Sequence, residues 1–245
     1  MPWYHLTTTK PKLWERRLDE LEPVHTAFGQ QSVGMRSGQA LEIAVLRTLQ
    51  AQSALDFVGN FHDLDEHDDS ELYTKEDPPR SYSGRAIPDD SRLDFFAIHD
   101  TAGLAGIEVK NVREWIYPDR PEVLDFLKKC LCLDAVPVLI ARRIPYVTFA
   151  TLNPCGVIIH QTYNQRMANA DRDLGEQAKD KNLLGYHDIR FGNETDDRLQ
   201  TFLHKNLPRI LPQSRKNFDL HRKYLEKYVE GEWEYWKFAR KITNL

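Results

Sequence analysis

The stretch AGIEVKN, residues 105–111, decides how the rest of the chain is read. Ile107 and Val109 alternate with Glu108 and Lys110, which is the period of a strand with one apolar face. The segments around it are apolar enough to place this strand in a core. Its charged face therefore needs a reason, because a buried charge is stable only when paired or bound to metal. Glu108 and Lys110 stand two residues apart and project together into a single site. An acid-x-lysine triplet is short and recurs by chance, so its surroundings carry the weight.

Immediately upstream, RLDFFAIHD (92–100) has strand character. With a TAGLAG turn and the following IEVKNVREWIY it forms a predicted β-hairpin. Asp94 lies 14 residues before Glu108. Phe96 and Ile98 share its face, while Leu93, Phe95 and Ala97 take the other, so the strand is apolar on both sides. A hairpin brings Asp94 and Glu108 close together. Two adjacent carboxylates repel, and they persist most naturally with a divalent cation between them. Oxygen donors favour magnesium or manganese over zinc. A lysine beside that metal can hold developing negative charge, or orient and deprotonate a water. Metal, water and ammonium together suit phosphodiester hydrolysis.

Further upstream, SGQALEIAVLRTLQAQSAL (37–55) is a predicted helix with Ser37 as its N-cap. Glu42 borders the apolar stripe of Val45, Leu46 and Leu49. If that helix packs across the hairpin, Glu42 can join the metal shell. Between helix and hairpin, residues 56–91 turn polar, and HDLDEHDDSELYTKEDPP reads as an acidic excursion or mobile loop. Downstream, RPEVLDFLKKCLCLDA (120–135) is an amphipathic helix opened by Pro121, VPVLIARRI (136–144) an apolar strand and GVIIHQTYNQ (156–165) another strand. Residues 166–184 are polar and partly helical; 194–211 and 218–242 are predicted helices. Residues 1–36 are an irregular extension with short helical pieces such as PKLWERRLDELEPV. The fold class is α/β, a mixed central sheet flanked by helices with a helical C-terminal extension over 166–245.

This pattern resembles the PD-(D/E)xK nuclease superfamily, which includes restriction endonucleases and Holliday-junction resolvases. The resemblance rests on LEIAVLRTL, IPDDSRLDFFAI, GIEVKN and VPVLIARRI, and covers residues 37–165. It implies a restriction-endonuclease-like core of order α-β-β-β-α-β and a site made of Glu42, Asp94, Glu108 and Lys110. Of these, Asp94, Glu108 and Glu42 would hold Mg2+ or Mn2+. The literal Pro-Asp pair is Pro88-Asp89, with Asp90 beside it, but Asp94 has the better strand placement. Asp89 or Asp90 stands as a second acidic contribution. The first core strand is placed near YSGRAIP.

Around that site, Arg113, Arg142 and Arg143 are candidates for contacting DNA phosphate. Asn111, facing the opposite way, reads as structural. Gln161 lies at the site edge, and Lys128 or Lys129 could complete the site. His62 and His67, set among carboxylates, match no zinc spacing. Cys130, Cys132 and Cys155 suit buried thiols better than a cluster. From Lys205 to the end there are ten Lys or Arg against five Asp or Glu, with Trp233, Tyr235 and Trp236 between them, a pattern read as protein packing rather than base stacking.

The bulk numbers set the outer limits. The 245 residues are 41% hydrophobic and 29% charged, with a net charge of −4. The chain has no apolar run of the roughly 18 residues a membrane span needs, and its N-terminus has no signal-peptide core. Three cysteines suit a reducing, cytoplasmic setting. The negative total argues against a uniformly cationic nucleic-acid glove and leaves room for a local basic patch. The expected function is a magnesium-dependent DNA endonuclease of restriction, defence, repair or recombination type. A homodimer would be needed if the substrate is a four-way junction. The alternative is a catalytically inactive module of the same fold that binds DNA or protein.

Overall fold

The computed structural model describes residues 11–51, 55–66 and 69–243. Two helices open it, α1 (Pro11–Phe28) and α2 (Gln31–Gln50). Helix α2 begins six residues before the expected N-cap, so Ser37 is buried inside the helix; Gln30 is the extended capping residue. The strand β1 (Asp56–Val58) follows. Three short pieces come next: β2 (Asn60–Phe61) paired with β3 (Lys75–Glu76), and then the hairpin β4 (Ser81–Tyr82) and β5 (Arg85–Ala86). The long hairpin is β6 (Phe95–His99) and β7 (Gly103–Lys110), followed by α3 (Pro121–Leu133), β8 (Val136–Ala141), α4 (Tyr146–Leu152) and β9 (Ile158–Gln161). The remainder is β10 (Gln165–Met167), α5 (Arg172–Lys179), β11 (Ile189–Phe191), α6 (Asp197–Gln200), α7 (Leu207–Val229) and α8 (Tyr235–Thr243).

Five strands form a mixed sheet in the order β1-β6-β7-β8-β9. β6 runs antiparallel to its neighbours β1 and β7, and β7, β8 and β9 are parallel. The expected α/β class with a mixed, helix-flanked sheet is what the chain adopts. Two expectations about its edge need correction. The first core strand is β1, not YSGRAIP, which makes the separate β4–β5 turn. The acidic stretch 56–91 is therefore not merely an excursion, since it contributes the sheet's edge. The hairpin turn is also tighter than TAGLAG suggested: His99 already pairs with Gly103, and Leu104, Ala105 and Gly106 are ladder residues.

Alternation along β7 sorts its side chains onto two cores. Ile107 and Val109 pack with Leu41, Val45 and Leu49 of α2 and with Leu203, Leu207 and Leu211. The opposite face carries Leu93, Phe96, Phe126, Leu127, Cys130 and Phe218. Helix α3 buries residues 123, 126, 127, 130 and 131, a helical spacing, and stops at Asp134 in the left-handed conformation (φ 57°). It approaches the sheet closely at Gly106, where a Cβ would stand 2.6 Å from Leu93 Cδ1 and 3.0 Å from Cys130 Sγ. That close approach sets α3 against β7 and governs which of its lysines reaches the strand.

The helices expected at 194–211 and 218–242 join differently. Residues 197–229 form one helical run, with a π-helical turn at Thr201–Asn206 between α6 and α7. Pro208 has no N–H to donate to the turn before it, which accounts for the local widening. The run crosses from one core to the other: Leu207 and Leu211 serve the first, Phe218, Leu225 and Tyr228 the second. At the crossing Arg215 donates to the carbonyls of Ala102 and Leu104, at the start of β7. Phe238 and Ile242 of α8 are buried in the second core, which agrees with the packing role expected for the tail.

His160 of β9 stacks on Phe202, with ring centroids 4.1 Å apart, and its Nε2 is buried without a hydrogen-bond partner. Burial, helped by Arg198, pushes its pKa down to about 4 from an ordinary 6.5. Between those values the unfolded chain binds the proton that the folded chain refuses, so stability falls as pH is lowered through this window. Denaturant titrations from pH 6.5 down to about 4 should show this loss, and His160→Phe should flatten it.

Candidate active site

The site lies where β7 ends and β6 begins. Register places Phe95 opposite Ile107, which sets Asp94 beside Glu108. Asp94 is the residue just before β6 rather than a member of it, and its backbone N–H still donates to Ile107 O (3.1 Å). Its Oδ2 accepts from Val109 N at 2.8 Å, so the carboxylate closes the ladder between Glu108 and Lys110. That bond answers why an aspartate is tolerated on an apolar strand: it replaces a backbone partner the ladder lacks.

Glu108 is buried and held by two ammonium groups. Lys110 Nζ is 2.7 Å from Oε1, and Lys129 Nζ is 3.3 Å from Oε2. Lys129 also reaches Asp125 (3.1 Å) and the carbonyl of Arg92 (2.9 Å). Of the two lysines open from sequence it is Lys129 that serves, because it falls on the buried face of α3, while Lys128 is exposed. Removing one partner from a buried pair of this kind typically costs about 3–5 kcal/mol. Burial pushes the Glu108 carboxyl up, Asp94 adds to this, and the two lysines oppose it. Burial disfavours the Lys110 charge, yet Glu108, with Asp94 and Glu42 behind it, raises the ammonium pKa on balance. The Lys110 side chain remains 29% exposed, so it faces solvent from the edge of the buried cluster.

Glu42 arrives from α2 and is bridged to Asp94 by a residue that sequence reasoning missed. Lys75 of β3 places Nζ 2.6 Å from Asp94 Oδ1 and 2.8 Å from Glu42 Oε2, with Asp77 Oδ1 at 3.3 Å. The four expected residues thus converge, with Lys75 among them. Its only sequence signal was a lone lysine inside YTKEDPP, a run whose acids suggested a solvated loop. Glu42 Oε2 is buried and, although close to Lys75, lacks a hydrogen bond of good geometry. Burial and then Asp94 push the Glu42 carboxyl up to about 7.

This donor set fits a hard divalent cation in chemistry: Asp94, Glu108 and Glu42 offer carboxylate oxygens, and Glu42 is under-neutralised where it stands. It is not a preassembled cage. Among the described residues no group of three or more His, Cys, Asp or Glu is placed to hold a metal ion. Ammonium groups stand among the carboxylates instead.

The other expected residues separate into two classes. Arg142 is buried and Arg113 half-buried, and both bind Asp188: Arg113 Nη2 at 2.9 Å, Arg142 Nε and Nη2 at 2.5 Å each. Arg113 also stacks on Tyr186. These two are spent on joining the sheet to the 186–188 segment, which leaves Arg143 as the exposed member of the three. Asn111 is structural, as expected: its amide donates to Ser37 O and Arg166 O and accepts from Arg166 N. Gln161 accepts from Ile144 N. Asp89 is occupied by Ser91, and Asp90 pairs with Arg80. His62 pairs with Glu76, and His67 lies outside the described residues. Cys130 and Cys155 are buried thiols, raised by burial. No protein-family model, curated protein or solved structure matches the chain.

The Glu42 carboxyl yields a stability signature of opposite sign to that of His160. Folded Glu42 binds a proton that the unfolded chain has released between pH 4.5 and about 7. Stability should therefore fall as pH rises through that window. Glu42→Gln should remove this slope, measured as the difference between the two proteins' denaturation midpoints across the window.

Proposed function

We propose that the chain is a divalent-metal-dependent endonuclease of DNA with a PD-(D/E)xK-type site on a restriction-endonuclease-like core. The observation that carries this reading is the grouping at the open end of β7. Glu108 and Lys110 project on one face, and Asp94 is tied to the backbone amide between them. A buried carboxylate with a partly exposed ammonium at a strand terminus suits chemistry on a polyanion better than it suits packing.

Asp94, Glu108 and Glu42 are the residues that would hold Mg2+ or Mn2+, and the bound cation would supply Lewis-acid stabilisation of charge on the phosphoryl oxygens. Lys110 orients the attacking water and offsets the charge that develops on the phosphate. Glu108 holds the Lys110 ammonium in place and keeps it charged. Lys129 and the α3 backbone beneath it keep Glu108 from turning away. In-line attack with departure of the 3′ oxygen would leave a 5′-phosphate. Arg143, the exposed arginine of the three, would be the one to meet a phosphate outside the cluster.

A second reading has its own support. Glu42, Asp94 and Glu108 are each paired with Lys75, Lys110 or Lys129, and Asp77 and Asp125 extend the set, an ion-pair network that could serve structure alone in a DNA- or protein-binding module. A cleavage panel separates the two. Duplex, supercoiled, single-stranded, flapped and four-way DNA, together with RNA, would be incubated with Mg2+ or Mn2+. Lys110→Ala should lower cleavage by about 100-fold or more while keeping DNA binding, measured on protein shown to be folded by circular dichroism, and should lower stability because Glu108 keeps only Lys129. Asp94→Asn and Glu108→Gln should lose metal-dependent activity. Wild-type binding with no cleavage of any member would favour the module, and undiminished cleavage by Lys110→Ala would remove that residue from the chemistry.

A further inference from the structure

The oxygens that a cation would take from Asp94 and Glu42 are the ones Lys75 holds. Asp94 Oδ2 is committed to Val109 N, which leaves Oδ1, and Oδ1 lies 2.6 Å from the Lys75 ammonium. Glu42 Oε2 lies 2.8 Å from the same nitrogen. An ammonium and a divalent cation cannot occupy one position between two carboxylates, because they overlap and their like charges repel in a largely enclosed site.

The chain around Lys75 is arranged so that its side chain can leave while its backbone stays. Gln39 of α2 exchanges two hydrogen bonds of 2.9 Å with the backbone of Tyr73, two residues before Lys75. Gln39 lies three residues before Glu42 on the same helical face, so β3 and the site share one anchor. Asp77, two residues beyond Lys75, offers the ammonium a third carboxylate at 3.3 Å and is more exposed than Asp94 or Glu42.

We propose that Lys75 is the resident counter-cation of this site, and that a divalent cation enters by displacing its ammonium from Asp94 and Glu42 onto Asp77. The inference rests on the metal-dependent reading above. It gives the 56–91 segment a role in metal binding: its lysine sets how tightly the cation is held, through a side-chain exchange rather than through opening of the β2–β3 pair.

Calorimetric titration with Mg2+ and with Mn2+ tests it on the full chain, using wild type, Lys75→Met, Asp77→Asn and Asp94→Asn. Removing the competitor should tighten binding by about tenfold or more, the scale of one charge-assisted hydrogen bond. Removing the landing site in Asp77→Asn should weaken binding several-fold, and Asp94→Asn should abolish it. In parallel, the 15N-lysine ammonium resonance of Lys75 in wild type, assigned by its loss in Lys75→Met, should shift on Mg2+ saturation. If Lys75→Met fails to fold by circular dichroism, the lysine resonance is assigned through Lys75→Arg, and Asp77→Asn together with that resonance decides. Equal or weaker cation binding by folded Lys75→Met, or an unmoved Lys75 resonance at saturation, overturns the inference; cation-dependent cleavage by wild type would then leave the nuclease reading standing. Absence of cation binding in every variant overturns both.

Discussion

Glu108 is a carboxylate withdrawn from water on the central strand of the sheet, and such a group survives only with positive charge against it. Lys110 supplies one ammonium from the strand itself, and Lys129 supplies the other from α3. The second contact needs α3 close to the sheet. That closeness depends on Gly106, where any side chain would meet Leu93 and Cys130. The charge at one position and the missing side chain two residues earlier are thus parts of one requirement. The strand that bears the chemistry also sets the depth of the helix that steadies it.

The central hairpin and α3 were legible in the sequence because apolar alternation and helical spacing are local signals. Ile107 and Val109 against Glu108 and Lys110 named both faces of β7, and Pro121 marked the start of α3 within a residue. Asp94 was legible for a different reason, as a carboxylate set between Leu93 and Phe95 at the head of an apolar run. What escaped was set by long-range pairing. β1 is three residues long and pairs with β6 some forty residues later, too short for any period to announce it. Lys75 sits in a run of acids whose composition points to solvent, and its partners come from α2 and from the edge of β6. Arg142 looked like a strand end reaching for phosphate. Its partner Asp188 lies 46 residues away, and no local pattern shows that the pair will be buried together.

Those arginines bear on how a polyanion could be met. Arg113 and Arg142 stitch the sheet to the segment before β11, and Arg166 is buried against Asp196. Positive charge inside the molecule is therefore used for cohesion. Charge available to an external partner is carried by exposed positions such as Arg143 and by Lys237, Arg240 and Lys241 on the outer face of α8. The net of −4 is compatible with this division, because inward cations cancel inward acids.

Around Arg215 the helical run from Asp197 to Val229 crosses beneath the start of β7, opposite the end where Lys110 lies. One rod contributes Leu207 and Leu211 to one layer and Phe218, Leu225 and Tyr228 to the other. Loss of packing in either layer disturbs a helix that also serves the other, which couples the two layers through one element. Where that rod crosses under the start of β7 it closes that end of the strand, so a substrate coming from there would have to dismantle a core before it met Lys110.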